Sequence, residues 1–242
     1  MPKGQPDFGP YAVKQVTASL ADMGELAVRL GSIDSYDRRG NVVYLDDFES
    51  PILRWDAAGF PAGYSIYLDS TNVKAGAQSV YLIPAAGIDS SALISKYFTT
   101  LGSLRTGLEL SFCYLPDKAF LGFYLTNYSL AGMHYAFAVI DSVKEELSIY
   151  LGDSTWQKIA DVNPVHPYRH KFIPVKLVAD FATGKYVRLL YGNTEYDISS
   201  YAIPFTAGEQ VPKINAQIIV SNQTAAQQDV WIDDVIITEE EP

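Results

Sequence analysis

The sequence has a single cysteine and no long apolar run, and each shortage excludes a class of protein. Cys113 is the only cysteine among 242 residues, so no disulfide can form within the chain. It lies in a strand-like run, residues 108–115, which favours a buried, unreactive thiol over a nucleophile. No apolar segment approaches the roughly 18–20 residues that cross a bilayer. We therefore expect neither a disulfide-stabilised protein nor one anchored in a membrane.

Positive charge is also scarce. The chain has 18 Lys and Arg against 28 Asp and Glu, which gives a formal net charge of −10. Such a chain has no electrostatic attraction for nucleic acid or for an anionic membrane surface, so we expect neither partner. Residues 1–6 contain no apolar h-region, which predicts synthesis in the cytoplasm without a signal peptide.

Signatures of catalysis and of zinc binding are missing as well. Cys113 and the three histidines do not have the spacing of zinc ligands. His166 and His170 flank a proline, which favours a turn over a helix that would align them. The sequence has no nucleophile elbow, and its acidic residues do not single out the carboxylate pair that a glycosidase needs. These absences predict a protein that is not an enzyme.

The residues that are abundant indicate a β-rich domain. Hydrophobic residues make up 48% of the chain and aromatic residues 13%, enough for a large core with rings left for surfaces. From residue 42 onwards, short β-branched and aromatic runs alternate with turn residues. Residues 172–180 alternate, and Gly192-Asn193 joins residues 185–191 to 194–198 as a hairpin. We predict an all-β, antiparallel two-sheet sandwich over residues 41–242.

The first forty residues differ from this pattern. Residues 1–18 contain three prolines and two glycines and predict an extended arm. Ser19 can cap a short α-helix that Gly31 would end. We assign residues 1–40 to a docking or oligomerisation segment, although the apolar stripe of the helix could instead pack on its own sandwich. The predicted stripe has 3,4,3 spacing: Leu20, Met23, Ala27 and Leu30.

Two acidic motifs lie inside apolar strands, at residues 45–49 and 231–237. An unpaired buried charge in such a run costs several kcal/mol, so the carboxylates need partners. We expect the first and last strands of the domain to lie side by side, with their acids meeting at the edge of the sheet. A cation, basic side chains and water are the alternative partners.

Several segments together resemble a known group of sandwiches. Residues 46–49 with Trp55 resemble the first strand of jelly-roll carbohydrate-binding modules and of laminin-G or concanavalin-like domains. Residues 75–82 resemble the second strand of these domains, and residues 232–235 resemble the last. Residues 175–181, 186–189 and 195–197 are similar to the back sheet of laminin-G-like domains. The resemblance covers about residues 45–238 and implies a jelly roll.

This resemblance also implies a structural calcium ion, because several carbohydrate-binding sandwiches hold one between their terminal strands. The implied ligands are Asp47, Glu49, Asp233 and Asp234, with a backbone carbonyl near residues 74–76. Hard carboxylate and carbonyl oxygens suit calcium. The same acids could instead pair with Lys or Arg, or face water.

Aromatic residues crowd the middle of the chain, between residues 120 and 156. Strand alternation turns some rings outward if their neighbours face the core. Outward rings can stack on sugars or bury against a partner subunit, and core packing is the alternative. We predict an aromatic platform formed by Tyr124, Tyr128, Tyr135 and Trp156.

The N-terminal segment has a separate resemblance. Residues 20–32 and 36–40 resemble the leader of bacteriophage virion proteins that carry a sandwich behind a docking segment. This implies a structural, capsid-decoration or adhesion protein in the virion, with capsid, neck or tail proteins as partners. A homo-oligomer such as a trimer and binding to glycans are further expectations. The alternatives are a stand-alone carbohydrate-binding module and, less favoured, a concanavalin-fold glycoside hydrolase or lyase.

Overall fold

The described part of the chain is built of β-strands. The computed structural model describes residue 37 and residues 39–99, 101–166 and 170–242. Within these ranges there is no helix long and apolar enough to span a membrane. The strands are β1 (Asn41–Asp46), β2 (Asp56–Phe60), β3 (Ser65–Asp69), β4 (Ser79–Ile83), β5 (Ser91–Phe98), β6 (Arg105–Cys113), β7 (Ala119–Ser129), β8 (Gly132–Asp141), β9 (Glu146–Gly152), β10 (Thr155–Asp161), β11 (Phe172–Asp180), β12 (Lys185–Tyr191), β13 (Thr194–Asp197), β14 (Phe205–Ala207), β15 (Lys213–Asn222) and β16 (Val230–Glu239).

These strands form two antiparallel sheets of eight strands each. Sheet A has the order β13-β12-β11-β6-β16-β4-β3, and β1 also pairs with β16. Sheet B has the order β10-β9-β8-β7-β15-β5-β2, and β14 also pairs with β8. Strands far apart in sequence are neighbours in both sheets, which is typical of a sandwich whose connections cross from one sheet to the other. The predicted all-β, two-sheet fold is confirmed.

The core lies between the two sheets because alternate side chains of each strand point inward. Leu110 and Phe112 on β6 of sheet A and Phe123 and Leu125 on β7 of sheet B are all fully buried in one apolar cluster. Burial of each such side chain contributes about 1.5–3 kcal/mol. The predicted alternation on β11 is also confirmed, since Ile173 and its alternate neighbours are buried on the core side.

Local sequence signals locate most of the strands, with three exceptions. The hairpin of β12 and β13 forms as predicted, with Tyr191 opposite Thr194 and Gly192 at a φ of 58°. Strands β2, β10 and β14 were not predicted. The β2 sequence, Asp-Ala-Ala-Gly-Phe, contains no β-branched residue, and it is extended because it pairs with β5. Pairing to a longer neighbour therefore overrides weak propensity.

The first and last strands of the domain are neighbours, as the acidic motifs predict. Asp46 of β1 lies opposite Val235 of β16, and Leu45 lies opposite Ile236. The predicted position at a sheet edge is wrong for β16, whereas β1 pairs only with β16. Strand β16 runs beside β6 on one side, whereas β4 and β1 pair in succession with its other side. The reason is length, because two short strands share one flank of a ten-residue strand.

The predicted docking segment lies almost wholly outside the described residues. The short helix and its stripe, Leu20, Met23, Ala27 and Leu30, fall in that part of the chain. The division into residues 1–40 and 41–242 therefore stays a prediction. Of the first forty residues, the structure describes only Asp37, Arg39 and Gly40.

Candidate functional site: the outer face of sheet B

The outer face of sheet B, which points away from the core, carries most of the aromatic surplus. On β7, Leu121, Phe123 and Leu125 are fully buried, so Phe120, Tyr124 and the other even-numbered side chains point outward. The same alternation holds on β8 and β15. Register then aligns outward residues across the strands from β10 to β5: Trp156, Tyr150, Phe137, Tyr124, Gln217 and Ser95.

Four rings of this alignment form a continuous cluster, here called the aromatic row: Tyr124, Phe137, Tyr150 and Trp156. The Phe137 centroid lies 4.9 Å from that of Tyr124 and 5.1 Å from that of Trp156. The Tyr150 and Trp156 centroids are also 5.1 Å apart, and these three pairs pack edge to face. Trp156 is 40% exposed, so its indole presents an open surface to solvent.

All four residues of the predicted platform lie on this face. Tyr124 and Trp156 belong to the aromatic row, and Tyr135 stacks on Tyr150 at a centroid distance of 5.5 Å. Tyr128 lies further along β7, beside Lys213. Their role in binding a ligand stays a prediction. Burial and a hydrogen bond with Tyr150 raise the pKa of Tyr135 to about 12, so its hydroxyl is a neutral donor at physiological pH.

A glycine makes room for the central ring of the aromatic row. Gly122 points outward on β7, and a Cβ there would lie 2.5 Å from Cε2 of Phe137 and 2.9 Å from Cγ2 of Ile219. Both distances are shorter than van der Waals contact allows. The missing side chain therefore leaves space on β7 for the Phe137 ring, which contacts the rings of Tyr124 and Trp156.

Tyr186 supports the aromatic row from inside the molecule. It lies on β12 of sheet A, is 1% exposed, and extends across the core to sheet B. Its hydroxyl accepts a hydrogen bond from Phe137 N at 3.1 Å and donates one to Tyr150 O at 2.7 Å. The ladder between β8 and β9 ends one residue earlier, at Ala138 and Ile149. The hydroxyl thus satisfies backbone groups at the point where these strands separate.

The central part of the outer face is polar. Strand β15 presents Lys213, Asn215 and Gln217 outward, here called the polar row. The Lys213 ammonium lies 4.4 Å from the ring centroid of Tyr97 on β5 and 4.9 Å from that of Tyr128 on β7. Sequence analysis did not identify the polar row, because its residues gain their aromatic neighbours only through strand pairing.

Carboxylates on this face lie away from its centre. The outward positions of β7, β15 and β5 contain none. Asp141 and Glu146 are register partners at the ends of β8 and β9. Asp141 Oδ1 accepts hydrogen bonds from the backbone N–H groups of Val143 and Lys144, and Glu146 lies within 4 Å of two lysine ammonium groups. These acids stabilise a turn and pair with lysines.

The acids of the predicted calcium site hold a loop instead of converging on one point. Glu49 Oε1 accepts hydrogen bonds from the backbone N–H groups of Ala77 and Gln78, at 2.7 and 3.1 Å. Gly76 has a φ of 74°, and a Cβ there would lie 2.2 Å from Glu49 Oε1. Asp47 is exposed and caps the next turn, accepting from Glu49 N at 3.2 Å.

The other two predicted ligands are buried on β16. Asp233 Oδ2 accepts from the backbone N–H of Lys74 at 2.9 Å, and Asp234 Oδ2 lies 3.1 Å from Lys74 Nζ. Burial, and then the neighbouring Asp234 charge, raise the pKa of Asp233 to about 7. In the described ranges, no three His, Cys, Asp or Glu side chains are grouped to hold a metal. These carboxylates are engaged by N–H donors and by an ammonium group, and such an arrangement does not fit a calcium ion. Binding of calcium has not been tested, so the site that the resemblance implies stays a prediction.

Asp46 does not meet the acids of β16, contrary to the expectation from the two motifs. Its Oδ2 accepts hydrogen bonds from the Tyr44 hydroxyl at 2.7 Å and from Trp55 Nε1 at 3.0 Å. Its Oδ1 accepts from Phe48 N at 3.0 Å. Three donors from its own segment satisfy this buried carboxylate, so it needs neither a cation nor a partner on β16.

A second group of charges is buried against sheet A. Lys176 is 1% exposed, and its ammonium lies 2.7 Å from Glu241 Oε1, 3.1 Å from Asp37 Oδ2 and 3.8 Å from Glu109 Oε2. Arg188 also pairs with Asp37 and Glu241. We call these five residues the buried ion cluster. Burial raises the pKa of Glu109 to about 7, with Lys176 opposing the shift.

Comparison with solved structures identifies the fold. An endo-β-1,4-glucuronan lyase from the fungus Trichoderma reesei superposes with a TM-score of 0.55 at 9% identity, covering 82% of this chain and 96% of the lyase. A Bacillus subtilis protein of unknown function with a galectin-like fold gives 0.55 at 12% identity, covering 84% and 97%. A Bacteroides ovatus mixed-linkage glucan GH16 protein, solved with a G4G4G3G product, gives 0.50 at 14%, covering 81% and 100%.

These similarities define the class of the domain as a jelly-roll or galectin-like β-sandwich. No protein-family model matches the chain, and no curated protein matches it. At identities of 9–14% the likeness shows the fold alone. Function has to be argued from the residues of the outer face of sheet B.

Proposed function

We propose that this protein binds a polysaccharide chain on the outer face of sheet B without cleaving it. The aromatic row supports the proposal most directly, because adjoining rings with one exposed indole form an apolar strip beside amide and hydroxyl groups. Sugar rings have apolar faces and polar edges, which match such a strip. From β10 to β5 the face extends about 24 Å, at about 4.8 Å per strand spacing, long enough for several sugar units.

The absence of cleavage is part of this proposal. A glycosidase needs two carboxylates about 5–9 Å apart across the bound sugar. The outward positions of β7, β15 and β5 provide none, and Asp141 and Glu146 are already engaged at the end of the face. Two of the structural neighbours are named for a lyase activity and for a glucan product, so hydrolysis and lyase assays belong in the test.

Affinity electrophoresis with Trp156→Ala tests the binding surface. The intact protein should be retarded in gels that contain a suitable polysaccharide, with mixed-linkage glucan and glucuronan in the first panel. Trp156→Ala should weaken binding about tenfold, because it removes roughly 1.5 kcal/mol of apolar contact. Tyr67→Ala is the matched control, since Tyr67 is a 46% exposed ring on sheet A.

Two outcomes would count against the proposal. Equal retardation of the intact protein and the Trp156→Ala variant would place the binding surface elsewhere. Release of reducing ends or unsaturated ends from any polysaccharide in the panel would show that the protein is an enzyme.

The virion role is a further proposal that rests on the resemblance of residues 20–40 to phage leaders. Residues 1–40 would dock the protein on capsid, neck or tail proteins or on sister subunits, and the sandwich would display its sugar-binding face. Only the carbohydrate-binding-like sandwich fold has structural support. Sedimentation of a chain without residues 1–31 tests the proposal, because unchanged assembly would contradict it.

A further inference from the structure

Lys213 is a cation held in place on the outer face of sheet B, at one end of the central strand β15. It begins β15 and lies opposite Tyr128 of β7 in the register of the sheet. Its ammonium lies over two rings, 4.4 Å from the centroid of Tyr97 and 4.9 Å from that of Tyr128. Cation–π contacts of this kind attract an ammonium group to the faces of the rings. The two rings therefore restrict the Lys213 side chain before any ligand arrives.

This ammonium has no counter-ion in the described part of the protein. No carboxylate oxygen of these residues lies within 4.0 Å of Lys213 Nζ. By contrast, the lysines at the far end of the face, Lys144 and Lys158, both pair with acids. Lys213 is also half-buried, so water solvates its charge only in part. A ligand anion would supply the missing partner.

The next residue of the polar row has a buried hydrogen-bond acceptor that lacks a donor. Asn215, two residues along β15, is 3% exposed, and its side-chain oxygen accepts no hydrogen bond. Its Nδ2 donates to Gln217 Oε1 at 3.4 Å. Residues two apart on a strand face the same side and lie about 6.6 Å apart. The polar row thus combines an unpaired ammonium with an amide oxygen that needs a donor.

We propose that Lys213 binds the carboxylate of a uronic acid unit in the bound polysaccharide, while Asn215 and Gln217 bind its hydroxyl groups. A uronic acid unit carries both groups that the polar row lacks, an anion and hydroxyl donors. The inference rests on the proposed function, and it names acidic polysaccharides as the ligand class. Because the whole chain has a net charge of −10, long-range attraction cannot draw in a polyanion. Selectivity therefore depends on this local cation.

Matched oligosaccharide pairs test the inference by calorimetry. β-1,4-linked tetraglucuronate and cellotetraose differ only at C6, where one has a carboxylate and the other a hydroxymethyl group; the mannuronate and mannose tetramers form a second pair. The intact protein should bind the acidic member of at least one pair about tenfold more tightly, as expected for a charged hydrogen bond. High salt should reduce the preference.

Variants separate this inference from the proposed function. Lys213→Gln should abolish the preference, because it should weaken the binding of the acidic member of a pair about tenfold more than that of the neutral member. Lys185→Gln makes the same charge change on the exposed start of β12 and should retain the preference. Trp156→Ala should lower the affinity for the acidic and the neutral member of a pair by the same factor.

The contradicting outcomes also differ. If the protein binds neutral and acidic sugars equally, or if Lys213→Gln keeps the preference, the inference fails while the proposed function stands. If no oligosaccharide or polysaccharide binds, both fail together.

Discussion

Single hydroxyl groups have opposite roles at two tyrosines of β12, the buried Tyr186 and the half-buried Tyr191. The Tyr186 hydroxyl joins Phe137 N to Tyr150 O, and so links sheet A to the backbone beneath the aromatic row. The Tyr191 hydroxyl is also buried, but among the described residues it has no hydrogen-bond partner. Burial raises the pKa of both phenols, so both are neutral at physiological pH. The two residues therefore form a natural pair for comparison.

Removing these hydroxyls should have different effects on stability. Tyr186→Phe removes the hydrogen-bond partner of the Phe137 N–H and of the Tyr150 C=O, which are both part-buried, and we expect it to lower the free energy of unfolding by about 1–3 kcal/mol. Tyr191→Phe removes an unsatisfied polar atom and should be neutral or slightly stabilising. Urea unfolding of both variants measures the difference. Equal losses would show that the Tyr186 hydroxyl does not hold the two strands.

At the scale of elements, acidic side chains on β16 and in the segment that follows β1 position the loop between β3 and β4. Glu49 accepts from the N–H groups of Ala77 and Gln78, and Asp233 accepts from that of Lys74. Four oxygens that could have bound calcium are thus divided between N–H donors and the Lys74 ammonium. The loop is held by the chain's own donors.

This arrangement predicts a melting temperature that does not depend on calcium. A calcium ion would have to displace two N–H donors from Glu49 and approach the Lys74 ammonium, which repels it. We expect EDTA and millimolar calcium chloride to leave the melting temperature unchanged within the error of differential scanning calorimetry. A rise with calcium that Asp233→Asn abolishes would instead support the site that the family resemblance implies.

Sequence patterns located elements well and contacts between elements poorly. Alternation on β11 and the Gly192-Asn193 turn are local signals, and both structures form as predicted. The adjacency of β1 and β16 followed from their matching acids, but the acids themselves find separate partners. Tyr186 and Lys213 were missed because their partners lie on distant strands. Sheet order and register decide such contacts, and neither is encoded by local periodicity.

At the scale of the whole molecule, the buried ion cluster connects the two ends of the described domain. Asp37 and Glu241 both pair with Lys176 and Arg188, across sheet A. Gly107 provides space for the cluster, since a Cβ there would lie 2.8 Å from Glu241 Oε1 and 2.9 Å from Lys176 Cε. Asp37 also binds Arg39 at 2.8 Å, and Glu241 lies 2.7 Å from Lys176, but the third carboxylate of the cluster lies 3.8 Å from its nearest cation and is weakly paired.

Glu109 is that acid, and it predicts a pH dependence of stability. Native Glu109 keeps its proton up to a pKa of about 7, whereas an ordinary glutamate releases it near 4.5. The native state therefore binds more protons between these values, and the free energy of unfolding falls as the pH rises through this window. The slope is at most about 1.4 kcal/mol per pH unit for one group.

Glu109→Gln should remove this contribution. We expect the variant to unfold at higher urea concentration than the intact protein at pH 8, and the two to differ least near pH 4. Glu209→Gln, at an exposed position, is the control and should follow the intact protein. Burial also raises the pKa of Asp233, so the free energy of unfolding of the Glu109→Gln variant should still fall to some extent as the pH rises. A variant less stable at pH 8 would mean that the Glu109 carboxylate is needed in its charged form.

The central position of the last two strands has a consequence for synthesis. Strand β15 lies between β7 and β5, and β16 lies between β6 and the pair formed by β1 and β4. A ribosome makes both strands after the other fourteen, so until then each sheet is split along its middle. The strands that flank β15 and β16 then have unpaired edges, which favour aggregation. Folding is therefore a late event, and a chain that stops before residue 213 should accumulate as aggregates.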